Sequence, residues 1–282
     1  MVFGERSRRV ARCGRSRPLR TLPHRRLARR RGGRVTAAIL GSRPWRRGYA
    51  FDVKLSILMP VFNEVAVLDA AVKRVLNVDY PVETELIIVD DGSTDGTRDL
   101  YERWADEPRI RIHLKARNEG KGSAIRKAAE LADGDYVIIC DADLEYSPEE
   151  IPMLLGPILK GEAKVVYGTR TFGSHNSYSY LYVLGNRAVT TVANVLFNCY
   201  LSDLETCFKL LPLELYRSLE VEADGFGMEA EITGKLLRRG IRPYEMAISY
   251  NARTREEGKK LTWRDGVEAV FILTRQRLAS RR

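Results

Sequence analysis

Residues 55–140 predict an α/β fold, a mostly parallel sheet with helices on both faces. Three observations carry the prediction. Short strand-like runs, Leu55–Met59, Glu85–Val89, Ile110–Leu114 and Tyr136–Cys140, alternate with helical segments, the β-α-β-α-β-α-β order that builds parallel sheets. Tyr136–Cys140 is a short apolar, β-branched run, which reads as a strand buried on both faces. The polar stretches Pro60–Glu64, Asp90–Asp95 and Asp141–Glu145 each follow a strand. Ligands of open α/β sheets bind beyond the carboxyl ends of the strands, so these stretches converge on one edge.

Structure is expected to begin near Val53. Pro60 stops the first strand. Val67, Leu68, Ala71, Val72, Val75 and Leu76 then repeat at helical spacing, with Asn63 as a candidate cap. Pro81 breaks the chain before the second strand. The loop Asp90–Gly96 opens a helix over 97–105, and Asn118–Gly122 opens another that runs through Ala132 before Gly134 turns into the fourth strand. Ser147–Glu150 starts a further helix, and Val165–Tyr167 is a strand ending in a Gly168-Thr169-Arg170 turn. The stretch 172–179 is rich in Gly, Ser, Asn and Tyr and reads as mobile. Leu181–Phe197 reads as an apolar helix containing Arg187, Thr206–Leu210 as a strand, and Leu213–Leu219 and Met228–Arg238 as helices, the last stopped by Gly240. Ile241–Ile248 alternates like a strand, Asn251–Lys260 is a charged loop, and a terminal helix starts at Trp263.

The formal charge of +10 over 282 residues is unevenly spread. Residues 1–50 hold sixteen Arg, no Lys and one acid, Glu5, a net of +15 that leaves the remainder at −5. The body is mildly acidic, so no specific nucleic-acid partner is expected of it. The expected organisation is a disordered Arg-rich extension over 1–50 and one domain over 51–282. An organellar leader, a basic arm for anionic lipid or nucleic acid, and an over-extended translation start all fit that extension. Cys13, Cys140, Cys199 and Cys207 form no Cys-x-x-Cys pair, and His24, His113 and His175 lack metal-ligand spacing. Both facts argue against a zinc site, and a reducing cytoplasm fits the cysteines. No run of about 18 uncharged apolar residues occurs, so no membrane-spanning helix is expected.

Asp141 and Asp143 stand two residues apart just past the fourth strand. They repel each other beside low-dielectric core. A hard divalent cation resolves the conflict, and it commonly arrives with a phosphate. The expectation is a metal–diphosphate site; capping of the following helix is the plainer alternative.

The motifs PVFNE (Pro60–Glu64), VDDGSTDGT (Val89–Thr97), NEGKGSA (Asn118–Ala124), DADLE (Asp141–Glu145), ETCFK (Glu205–Lys209) and RTREEGKKLTWRDG (Arg253–Gly266) occur in this order. With them the chain, over about residues 53–275, resembles the family-2 glycosyltransferases of Rossmann-like GT-A fold. More narrowly it resembles the dolichol-phosphate mannose synthase group. The resemblance implies a hexosyltransferase that uses an NDP-sugar, GDP-mannose or UDP-glucose, with Mg²⁺ or Mn²⁺ and a polyprenyl or dolichyl phosphate acceptor. It assigns base and ribose contacts to Pro60, Phe62, Glu64, Val89 and Asp91, and the metal and diphosphate to Asp141, Ala142 and Asp143. Glu145 stands where the family commonly has Gln, as a third metal ligand or a sugar contact. Arg170 follows a strand end and is expected to reach the donor phosphates or the sugar, and Arg255 and Lys260 are matched to the family's cations that close over the donor diphosphate. Lys121 is either a diphosphate contact or an exposed helix-start residue.

The expected reaction is direct displacement at the anomeric carbon with inversion, with Asp143, Arg187 and Glu229 as the catalytic set. A hydroxyl acceptor needs a general base. A phosphate monoester, with its second pKa near 6, is largely anionic at neutral pH and does not. No His is placed for the role, and Glu229 and Glu231 are the base candidates. Arg187 is expected either to snorkel or to hold a lipid phosphate while Leu181, Leu184 and Val195 touch the isoprene chain. The terminal helix carries Val267, Val270, Phe271, Leu273 and Leu278 beside Arg275, Arg277, Arg281 and Arg282. It is expected to dock on the sheet or rest on an anionic leaflet, as a cytoplasmic protein peripherally associated with the membrane. The competing readings are a family-2 transferase with a soluble or glycan hydroxyl acceptor, a nucleotidyltransferase, and a nucleic-acid-binding protein.

Overall fold

A computed structural model describes residues 53–177, 179–253 and 262–279. The Arg-rich extension, Arg255, Lys260, Arg281 and Arg282 lie outside the described residues.

Seven strands form one sheet: β1 (Lys54–Val61), β2 (Glu83–Asp90), β3 (Ile110–Leu114), β4 (Tyr136–Ile139), β5 (Val166–Thr169), β6 (Lys209–Pro212) and β7 (Tyr244–Ala247), in the order β3-β2-β1-β4-β6-β5-β7. The four strands of the amino-terminal half pair in parallel, as the alternation predicts. β7 is parallel to β5, and β6 runs antiparallel to both β4 and β5. Strand direction leaves no trace in a four-residue apolar run, so this inversion was not legible. Leu55 and Ile57–Met59, Leu86–Val89 and Val137–Ile139 are almost wholly buried, as befits strands covered on both faces.

Pro60 does not stop β1, which continues to Val61. Its neighbours explain the tolerance. The Leu58 carbonyl accepts from Cys140 on the β4 side, and the Val61 carbonyl accepts from Asp91 on the β2 side. By alternation, position 60 faces the β4 side, where that strand has already ended. No ladder bond is lost to the missing N–H.

The helices are α1 (Leu68–Leu76), α2 (Lys121–Leu131), α3 (Ile151–Leu159), α4 (Tyr180–Phe197), α5 (Leu213–Ser218), α6 (Met228–Arg238) and α7 (Trp263–Leu278), and residues 97–104 are wound as a 3₁₀ helix. Asn63 does not cap α1. It adopts a left-handed backbone, φ 54°, and its Oδ1 accepts the Thr94 N–H at 2.8 Å while its own N–H donates to Ser93 Oγ at 2.9 Å. Asn63 therefore ties the loop after β1 to the loop after β2, a long-range bond that outcompetes local capping. The start of α2 lies against residues 223–224. Gly122 donates to the Asp224 carbonyl at 2.6 Å, and a Cβ on Gly120 (φ 103°) or Gly122 would collide with the carbonyls of Asp224 and Ala223. Only glycine permits that approach, and it fixes where Lys121 projects.

A second apolar cluster joins Val189 and Ala193 of α4, Leu204, Ala230 of α6, and Ala269 and Leu273 of α7. Arg277 Nε also donates to the Leu196 carbonyl at 2.7 Å. Larger apolar side chains of the two outer helices, Leu181, Leu184, Val195, Val267, Phe271 and Leu278, are exposed. No helix among the described residues is long and apolar enough to cross a membrane.

Candidate active site

The loops after β1, β2 and β4 do converge, on a cavity of about 1510 Å³. β4 delivers Asp141 and Asp143 to it. The Asp143 Oδ1 accepts the Glu145 N–H at 3.0 Å, and this local bond holds Leu144 left-handed at φ 62°. A bulky residue in that conformation is strained, as turns at functional sites commonly are. The turn leaves Asp143 Oδ2 facing Arg253 Nη2 at 3.4 Å. Burial, with Asp141 and Glu145 beside it, pushes the Asp143 carboxyl up to about 7.

Lys121 reaches in from the start of α2. Its Nζ lies 2.8 Å from Asp141 Oδ2 and 2.9 Å from Glu229 Oε1. Burial disfavours the ammonium, but Asp141 and Glu229 outweigh it and hold the Lys121 pKa well above its ordinary value. Asp141 Oδ1 and Glu229 Oε2 are buried without a hydrogen-bond partner.

Arg253 is the hub that the sequence reading passed over in favour of Arg255 and Lys260. Its Nη1 pairs with Glu64 Oε2 at 3.0 Å, its N–H donates to Glu145 Oε1 at 2.9 Å, and its Nε stands 4.0 Å from the same oxygen. Burial works against the charge, but these carboxylates raise the Arg253 pKa. Glu145 Oε2 accepts the Tyr250 hydroxyl at 2.6 Å. Asp141, Asp143 and Glu145 do not assemble as a three-carboxylate metal group; among the described residues no three His, Cys, Asp or Glu side chains form one. Glu145 instead anchors the 250–253 segment over the turn.

Pro60, Phe62, Glu64, Asp91, Lys121, Asp141, Ala142, Asp143, Glu145, Arg170, Arg187 and Glu229 all line the cavity. Val89 does not; its side chain is fully buried in the core. Asp91 is already occupied, accepting from the N–H groups of Glu119 and Gly120 and pairing with Lys115 at 2.7 Å. Arg170 forks onto Asp203 through Nε at 2.7 Å and Nη2 at 2.8 Å, and stacks 5.0 Å from the Tyr250 ring. Glu231 faces away: it accepts from the N–H groups of Glu222 and Ala223 and pairs with Lys235 at 2.6 Å. It secures α6 and, lying outside the cavity lining, is not placed to act as a base. His175, which shows no metal-ligand spacing in the sequence, lines the cavity beside Tyr250. Its position depends on long-range pairing that spacing cannot reveal.

The cavity continues between the outer helices, past Leu181, Val183 and Gly185 of α4 and Trp263, Gly266 and Val267 of α7. Arg187 is exposed at this end and makes no side-chain ion pair among the described residues. Glu205, from the ETCFK motif, also lines the cavity, although sequence reasoning gave it no role.

Solved structures of glucosyl-3-phosphoglycerate synthase from Mycobacterium tuberculosis share the fold. One holding Mn²⁺, UDP-glucose and phosphoglyceric acid aligns with a TM-score of 0.61 at 22% identity over 80% of each chain. The dolichol-phosphate mannosyltransferase of Pyrococcus furiosus is 25% identical over 74% of this chain and 61% of its own length. The undecaprenyl-phosphate 4-deoxy-4-formamido-L-arabinose transferase of Proteus mirabilis is 40% identical over 44% of this chain and 39% of its own. An uncharacterised protein of Methanocaldococcus jannaschii is 25% identical over 68% of this chain and 86% of its own. Residues 56–218 match the description Glycosyl transferase family 2, and with the GT-A sheet and its carboxylate-lined edge the chain belongs to that family.

Proposed function

We propose that the protein transfers a hexose, mannose or glucose, from an NDP-sugar to a polyprenyl phosphate with inversion, working at the cytoplasmic surface of a membrane. One observation carries the reading: a single cavity joins the Asp141/Asp143 edge to Arg187 and the apolar walls of α4 and α7. A charged donor and an amphiphilic acceptor have opposite requirements, and this cavity has an end for each. Relatives named for dolichol and undecaprenyl phosphate point the same way. The exposed apolar side chains of α4 and α7 support contact with a membrane surface.

The residues fit a hard divalent ion. Asp141 Oδ1 is a buried oxygen without a partner, and Asp143 adds a second carboxylate, the donor type Mg²⁺ and Mn²⁺ prefer. Asp141 and Asp143 would hold it, and a metal bound there would supply positive charge against the departing diphosphate. Lys121 and Arg253 flank the pair and add fixed positive charge where the leaving group gathers negative charge. An acceptor phosphate oxygen forms the new bond to the anomeric carbon as the bond to the diphosphate breaks. No proton need be removed from an acceptor already ionised at neutral pH. Glu229, ion-paired with Lys121, orients that lysine in this scheme. Arg187 holds the acceptor phosphate at the apolar end.

The test is a donor panel of GDP-mannose and UDP-glucose with undecaprenyl phosphate, with and without Mn²⁺. Label that enters the organic phase only with Mn²⁺ is the expected result. Label that stays aqueous on an added phosphoglycerate supports the soluble-acceptor alternative, which the shared fold with glucosyl-3-phosphoglycerate synthase keeps in view. Diphosphate release from NTP and a sugar phosphate would instead mark a nucleotidyltransferase.

A further inference from the structure

We propose that Glu205 is a specificity residue of this cavity, its carboxyl group receiving a hydroxyl of the sugar being transferred. The inference rests on the glycosyl-transfer reading and names the part of the donor that Glu205 meets.

Glu205 lines the cavity alongside Asp141, Arg170, Cys207 and Glu229. Its Oε1 is buried with no hydrogen-bond partner. Leaving such an acceptor unpaired is costly. The neighbouring cations do not supply a donor. Lys209 is fully buried and donates to the carbonyls of Leu204, at 3.0 Å, and Thr206. Arg170 is committed to Asp203, and Lys121 to Asp141 and Glu229. A hydroxyl of a ligand entering this cavity can supply the donor.

Charge selects which part of the ligand. Glu229 stands close enough to disfavour the charged form of Glu205, and two carboxyl groups side by side disfavour a further anion. A diphosphate or acceptor phosphate is repelled from this corner, whereas a neutral polyol is not. Sugar hydroxyls both donate and accept, and a carboxyl that is partly protonated near neutral pH can answer both. Burial and then Glu229 push Glu205 up to about 7, against the pull of Lys209 and Arg170.

The full-length protein with Mn²⁺ is titrated calorimetrically with UDP-glucose and GDP-mannose, then with the monodeoxy forms of the better ligand. Wild type is expected to lose about 30-fold in affinity at one deoxy position, the scale of a hydrogen bond to a charged group. In Glu205→Leu the parent sugar nucleotide falls to that level and the matching deoxy form is unchanged, so the preference disappears. Glu205→Met, close in length and without a hydrogen-bonding oxygen or nitrogen, carries the same comparison where the leucine variant folds poorly. Binding of the nucleoside diphosphate alone, expected to be equal in all forms, reports an intact site. Variants that bind the nucleotide normally yet discriminate every deoxy position as wild type does, or weaken all sugars equally, overturn the proposal alone. Wild type that binds neither sugar nucleotide overturns the glycosyl-transfer reading and this inference with it.

Discussion

The two ends of the central strands bury carboxylates in opposite ways. At the amino ends Glu85 is 6% exposed and fully answered: it accepts from the Ser56 hydroxyl and the Asp133 N–H, and it pairs with Lys54 at 3.2 Å and with Arg111. At the carboxyl ends Asp141 Oδ1, Glu205 Oε1 and Glu229 Oε2 are buried and unanswered. Glu85 belongs to β2, whereas Asp141 follows β4, Glu205 precedes β6 and Glu229 lies on α6; all of these carboxyl oxygens are buried, so burial is not the difference. A carboxylate needed by the fold is closed by the fold's own donors. One needed for a ligand stays open, at about 1–3 kcal/mol for each unpaired group.

The sharpest way to break this contrast is to remove a carboxylate from each end. Asp143→Ala is expected to lower transfer with Mn²⁺ by about 10³-fold or more, the scale of an electrostatic catalytic contact. Its melting temperature should change little, because relief of the like-charge contact with Asp141 is set against the lost contacts to the Glu145 N–H and Arg253. Full metal-dependent activity in this variant would refute the assignment. Glu85→Ala should do the reverse, losing about 2–3 kcal/mol of stability in denaturant unfolding with kcat/KM unchanged in the folded fraction. The lower part of the range for a broken buried pair applies because Lys54 and Arg111 are 26% and 41% exposed and regain water. Arg187→Ala is a smaller probe of the cavity's far end. About a tenfold rise in KM for polyprenyl phosphate, with the donor KM unchanged, is expected of a phosphate-holding cation. An unchanged acceptor KM would remove Arg187 from the site.

The strand framework was largely legible, because local pattern decides it. Alternating apolar runs located β1 to β4 within a few residues, and the polar loops that follow them line the cavity as expected. What escaped depends on contacts far apart in sequence. Arg253 meets Glu64 across 189 positions, so nothing local ranked it above the other cations of its loop. Asn63 carries a capping residue type, yet its side chain is taken by Thr94. Glu231 and Glu229 sit two apart on α6, but one turns to the 222–223 backbone and the other to Lys121. Glu205 was visible inside a family motif, and only its missing partner gives it meaning.

The finest test of the open end is the pH dependence of stability in the free protein. Burial and Glu229 raise Glu205 from an ordinary 4.5 to about 7 in the folded state. Between those values the native carboxyl keeps a proton that the unfolded chain has released, so native protein is favoured at the acid side of the window. Stability then falls as pH rises from about 5 to about 8, the direction opposite to that of a salt-bridged carboxylate. Glu205→Gln removes this contribution and should flatten the unfolding free energy across the window by about 2 kcal/mol. Asp143, also raised to about 7, keeps part of the slope in that variant. Glu85→Gln at the closed end supplies the contrast, lowering stability by breaking the pairs with Lys54 and Arg111. A Glu205→Gln profile as steep as that of wild type would mean that Glu205 is solvated or paired, and the contrast between the two ends would then rest on Asp141 and Glu229 alone.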